Sequence, residues 1–202
     1  NHMVEHPYML AKGQDESELE WINRLEKELL KAELRIEQQT GQSHRYLAYP
    51  FGEFNTEIKN MLEANDFIGL AQNSGAVGVN SDFLALPRFP LASIYANLDT
   101  AKIKLDSKAF NVDLIQPLSP VTQDRNPPVT LKFNDGNYNL SQIGCFANSK
   151  PLPMTWIDKS QGLLKIEPNE SYSGRRWRYL CTAPVPGENR FYWFSVQWIK
   201  PD

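Results

Sequence analysis

The chain has 202 residues, of which 41% are hydrophobic, 22% charged and 11% aromatic, with 14 Pro, 11 Gly and a net charge of −3. That length allows one large domain or two modest ones, and the hydrophobic share is too high for a disordered tail. The slightly acidic balance argues against a protein built to neutralise phosphates, so no nucleic-acid partner is expected; no apolar run approaches the roughly 20 residues of a membrane-spanning helix, so a soluble chain is expected.

Asn1-His2-Met3 reads either as natural sequence or as a cloning remnant. Residues 15–40 read as a helix, because Ile22, Leu25, Leu29, Ala32 and Ile36 recur at spacings of three and four. Asp15 or Ser17 is placed to cap it, and Gly41 to end it. A short buried strand follows at 46–49, stopped by Pro50-Phe51-Gly52. Asn55 is placed to cap a second helix through Ala64, with Ile58, Met61 and Leu62 inward. Residues 67–71 form the next strand candidate, followed by a Gly-rich loop at 73–82, a strand at 84–86 and a helix at 98–109. Strands alternating with helices indicate a parallel α/β layer of about three units, too few to close a barrel.

Residues 114–128 hold Pro117, Pro120, Pro127 and Pro128 and read as a semi-rigid linker. Beyond it the pattern turns to short strands at 129–133, 139–147, 154–157, 163–166, 177–182 and 191–199, which suggests an all-β sandwich. Trp156 follows Cys145, and Tyr179 stands two residues before Cys181, echoing the Cys–Trp–Tyr-x-Cys order of immunoglobulin-like sandwiches. The interval between the cysteines is short for that fold. The order favours an inter-sheet Cys145–Cys181 bridge over two buried thiols, and a bridge would point to an oxidising compartment.

His2-x-x-x-His6 sets two imidazoles one helical turn apart, able to point at one cation, although a terminal remnant would account for half of the pair. His44, beside Arg45 in a polar loop, reads as a solvated surface residue. Asp82 and Arg88 flank a strand end where active-site loops gather; Arg88 serves equally well in a salt bridge. In the β half, Trp177 and Trp193 sit in aromatic runs able to stack on sugar rings, although such runs populate both faces of a strand and at least half are core.

The string His2-Met3-Val4-Glu5-His6-Pro7 resembles the His-[Ser/Thr]-x-x-His-Pro zinc motif of the polysaccharide deacetylases, which share a nodulation-protein-like catalytic domain. Tyr46-Leu47-Ala48-Tyr49-Pro50-Phe51-Gly52-Glu53-Phe54-Asn55 resembles that family's Pro-Tyr-Gly segment. The resemblance covers about residues 1–105 and implies an α/β partial (β/α) barrel, here followed by an all-β, immunoglobulin-like sandwich. Residues 1–113 are then the C-terminal part of the catalytic domain, 114–128 the linker and 129–202 the sandwich. It further implies metal-dependent hydrolysis of acetyl groups from a polysaccharide of the cell envelope or outside the cell. His2 and His6 become ligands of zinc or another divalent metal, and the backbone N–H of Phe51 the oxyanion donor. Asp82 and Arg88 are then catalytic candidates, and Tyr49, Glu53, Trp177 and Trp193 substrate contacts; an exposed Glu before a helix is the plainer alternative for Glu53.

Position 3 is Met where the family has Ser or Thr, and the family's Thr-Phe-Asp-Asp-Gly segment and late histidine have no counterpart here. The resemblance therefore implies a missing N-terminal part of the catalytic domain, an inactive isolated chain, and a periplasmic or secreted location. The alternative is a non-catalytic carbohydrate- or envelope-binding protein on which these motifs are relics.

Overall fold

Ser17 starts the first helix through a capping box: its hydroxyl accepts from the Glu20 N–H, and Glu20 returns a bond to the Ser17 backbone. The helix, α1, runs Glu18–Thr40 and ends where Gly41 adopts φ 73° and donates to the Glu37 carbonyl at 2.8 Å. Its buried row is Trp21, Leu25, Leu29 and Glu33. The stripe expected from the sequence holds at Leu25 and Leu29 and departs on either side of them, where Trp21 and Glu33 are buried in place of Ile22 and Ala32. Strand β1 (Tyr46–Ala48) lies parallel to β2 (Ile68–Leu70), joined through α2 (Thr56–Ala64). Asn55 caps α2 by accepting from the Ile58 N–H at 3.0 Å, and Ile58, Met61 and Leu62 are buried as expected.

The computed structural model describes residues 1–201 and divides into two compact units. The first holds residues 1–72 and 82–86, and the second 73–81 and 87–200. In the first, Leu86 adds one parallel bridge to Leu70, so the strand expected at 84–86 is reduced to a single bridge. The sheet there has two strands and does not close. Gly69 is obligatory: a Cβ on it would stand 2.2 Å from the Leu84 carbonyl oxygen and 2.6 Å from the Tyr49 hydroxyl.

The second unit begins its regular structure with α3 (Leu98–Leu105), capped by Asn97 and shorter than the helix expected to reach 109. Strand β3 (Val112–Gln116) follows, so residues 114–116, read from their neighbouring prolines as linker, belong to a strand. The remaining strands are β4 (Val129–Phe133), β5 (Gly144–Ala147), β6 (Lys150–Pro151), β7 (Met154–Asp158), β8 (Leu163–Ile166), β9 (Arg176–Pro184) and β10 (Phe191–Ile199). They form two four-stranded antiparallel sheets, ordered β10-β9-β5-β6 and β3-β4-β8-β7. One core unites them, with Val129, Leu131, Leu164 and Ile166 from one sheet and Tyr179, Ala183, Val196 and Trp198 from the other. Phe110 anchors its aromatic end, 5.2 Å from the Phe133 ring and 5.1 Å from Tyr192.

Cys145 and Cys181 form a disulfide with a Cα–Cα distance of 4.1 Å. They stand directly opposite on β5 and β9, neighbours within one sheet. This corrects the immunoglobulin-like expectation, whose bridge joins the two sheets. Trp156 lies at the edge of the opposite sheet, on β7, 6.4 Å from the Phe133 ring. The Tyr179 hydroxyl donates to the Pro127 carbonyl at 3.1 Å, 52 residues away in sequence and far from the close upstream partner of a tyrosine corner.

Candidate functional site

The N-terminal segment of the first unit is neither helix nor strand, so the helical spacing expected for His2 and His6 is absent. The two rings nevertheless converge, with centroids 4.5 Å apart and planes at 63°. Left-handed backbone at Met3 (φ 62°) and His6 (φ 51°) makes the turn that brings them together. Met3, between the two histidines, and Met9, three residues beyond them, are buried, Met9 completely. Position 3 thus acts as a core anchor, which a Ser or Thr could not do.

Several elements fix this segment. The Asn1 side chain donates to the Leu29 carbonyl and to Glu33 Oε2, both at 3.0 Å, and the Trp21 indole donates to the Met9 carbonyl at 2.9 Å. Glu33 also accepts from Ser43 Oγ at 2.7 Å and from the Arg45 N–H at 3.1 Å. Burial by itself would raise the Glu33 pKa, but the bonds from Asn1, Ser43 and Arg45 outweigh it and hold the carboxyl below its ordinary value.

His2 Nδ1 lies 2.5 Å from the Ala48 carbonyl oxygen. A carbonyl only accepts, so the neutral ring carries its proton on Nδ1 and leaves the Nε2 lone pair for a ligand. A second partner of this kind is what orients metal-binding imidazoles generally. His6 packs edge-on against Phe51 at 4.4 Å, and Tyr8 stacks on the same Phe51 ring at 4.0 Å. Phe51 sits in a single 3₁₀ turn at φ 53°, ψ 8°, closed by the Gly52 N–H on the Tyr49 carbonyl at 2.9 Å. The histidine turn and the Pro50-Phe51-Gly52 turn are therefore one cluster. The pair suits zinc as two nitrogen donors, and among the described residues no group of three His, Cys, Asp or Glu side chains gathers to hold a metal.

Of the other candidates, Tyr49 and Glu53 flank the Pro50-Phe51-Gly52 turn. Tyr49 is fully buried, donates to the Leu84 carbonyl at 2.6 Å and has its pKa pushed up by burial, with the Asp82 charge adding to it. Glu53 is equally buried, with Oε2 accepting from the Leu10 N–H at 3.1 Å; it is not the exposed helix-leading Glu of the plainer reading. Asp82 pairs with Lys59 at 2.5 Å and accepts from the Leu84 N–H at 2.9 Å. Arg88 belongs to the second unit, half-buried, its N–H on the Asn73 carbonyl at 2.8 Å, and burial lowers its pKa. Trp177 is core beside Tyr172, and Trp193 donates to Ser74 Oγ at 3.1 Å and meets Phe89 edge-on at 5.3 Å. His44 is exposed, 2.9 Å from Gln42 Oε1, as expected.

No motif in the sequence marks Tyr8 or the Ala48 carbonyl. Tyr8 is two residues beyond His6, but its stacking on Phe51 depends on a turn that the motif does not encode.

No protein-family model matches the sequence, and no curated protein is similar to it. Among solved structures, the chain is similar to the deacetylase PplD of Streptococcus pyogenes, determined in complex with acetate, at 20% identity and a TM-score of 0.37, over 44% of this chain and 36% of that one. It is also similar to an endo-beta-1,4-mannanase from Thermotoga petrophila, at 10% identity and a TM-score of 0.36, over 89% of this chain and 43% of that one. The chain spans less than half the length of either. Any functional reading therefore rests on the histidine turn and its neighbours.

Proposed function

We propose that this chain is part of a metal-dependent polysaccharide deacetylase, its first unit a portion of the partial (β/α) barrel. The observation that supports this reading is the convergence of His2 and His6 beside the Pro50-Phe51-Gly52 turn, with His2 oriented by the Ala48 carbonyl. His2 and His6 would hold a zinc or other divalent ion, which when bound supplies an activated water and polarises the acetyl carbonyl. The backbone N–H of Phe51 serves as a donor to the carbonyl oxygen as negative charge develops on it. The third ligand and the general base are carboxylates supplied from outside these residues. The Cys145–Cys181 bridge supports a secreted or periplasmic location, because such bridges persist in oxidising compartments.

Zinc titration of the full chain by calorimetry tests the ligand assignment. Weak binding should disappear in His2→Ala and in His6→Ala; binding unchanged in both would overturn it. The chain alone with zinc should release no acetate from acetylated oligosaccharides. Turnover abolished by chelator and restored by zinc would mean that another carboxylate, such as Asp82, completes the site.

A second reading, carbohydrate binding without hydrolysis, draws on Tyr8, which is 47% exposed and stacked on Phe51 as a platform for a sugar ring. Oligosaccharide binding that is lost in Tyr8→Ala and indifferent to zinc would favour it.

A further inference from the structure

The turn between the two histidines is left-handed at Met3 and His6, exposed at Val4 and Glu5, and outside any helix or strand. Local chain preference does not hold L residues in that conformation, so something else must. Glu28, half-buried on α1, brings one carboxylate oxygen to two consecutive amides: Oε1 accepts from the Val4 N–H at 3.0 Å and from the Glu5 N–H at 2.7 Å. Those amides lie midway between His2 and His6. An ionised acceptor binds such N–H groups more strongly than a neutral one.

We propose that Glu28 is the positioning residue of the histidine pair, fixing the 3–5 turn and through it the separation and angle of the two imidazoles. Its consequence for metal affinity rests on the proposed ligand role of His2 and His6; its consequence for ring geometry does not. Val4 and Glu5 are exposed, so removing the carboxylate leaves their amides to water instead of orphaning them in a core. Alanine at position 28 is also a better helix former than glutamate. The turn should therefore loosen while the fold persists.

The experiment compares the full-length wild type, Glu28→Ala and Glu28→Gln by three measurements: the nuclear Overhauser effect between the His2 and His6 rings, amide exchange at Val4 and Glu5, and zinc titration. In Glu28→Ala the ring-to-ring effect and the amide protection should vanish, and zinc affinity should fall about 10–100-fold, the usual cost of losing a partner that orients a ligand. Glu28→Gln, which keeps an acceptor oxygen, should restore the ring contact and most of the affinity. The melting temperature of both variants should stay near that of the wild type. A ring contact retained in Glu28→Ala, or amides already unprotected in the wild type, would overturn the proposal. A wild type that binds no zinc but loses its ring contact in Glu28→Ala would uphold the positioning role and overturn the metal reading.

Discussion

The two units are stabilised by different means. The second rests on eight antiparallel strands, a shared aromatic and aliphatic core and one disulfide. The first has a two-stranded parallel sheet and two helices, and much of its N-terminal segment hangs on carboxylates: Glu28 accepts from the Val4 and Glu5 N–H groups, Glu53 from the Leu10 N–H, and Glu33 from the Asn1 side chain. Two parallel strands bury too little to fix irregular chain by themselves. Charge-assisted bonds from helix and turn side chains do that work, at the place where the candidate ligands stand.

That contrast is open to direct test. Removing the disulfide, by reduction or by Cys145→Ala with Cys181→Ala, should cost the second unit about 3–4 kcal/mol from the entropy of the 36-residue interval it closes. Hydrogen exchange should then rise in β9 and β10 and stay unchanged in β1 and β2; a uniform rise would break the distinction. Gly69→Ala should do the reverse, costing about 2–3 kcal/mol by overpacking against the Leu84 carbonyl and Tyr49 hydroxyl, read by the same exchange experiment at β1 and β2. Ser17→Ala should remove the capping box and cost about 1 kcal/mol, measured by urea unfolding.

The first unit should also be acid-sensitive through Glu33. Its folded pKa lies below the ordinary value, so it contributes stability that is fully present above the unfolded-state pKa of about 4.5 and is lost as pH falls through the folded one. Glu33→Gln should flatten that acid limb. An unchanged acid unfolding profile would show that the clamps are electrostatically silent.

Features set by neighbouring residues were legible in the sequence. The Ser17 and Asn55 caps and the Gly41 stop need only local spacing, and they stand where expected. Glu33 was missed because a carboxylate at a buried helical position reads as polar surface until its partners, 32 residues back at Asn1 and 10 and 12 ahead at Ser43 and Arg45, are in place. Strand β3 was hidden by the prolines that follow it and by Ile115, which breaks the alternation begun by Val112, Asp113 and Leu114. The cysteine order correctly suggested a pair and misassigned its setting, because order along a chain does not say which strands become neighbours. At the site, the motif placed two histidines near Phe51, but the motif's helical periodicity was irrelevant: the rings meet through a left-handed turn that depends on α1 docking.

The position of the disulfide within one sheet has a consequence for alignment. Strand β5 matches β9 at only three pairs, Gly144 with Thr182, Cys145 with Cys181 and Phe146 with Leu180. A slip of one residue would turn the buried Cys145 and Ala147 outward and send Phe146 inward. Three pairs, one of them a glycine, give little energetic protection against such a slip. The covalent bond at the middle pair permits a single alignment. Strand β6, two residues long, inherits that alignment through its own pairing with Phe146 and Ala147. The oxidised protein therefore has the edge of its sheet set by chemistry, where the reduced chain must find it by packing alone.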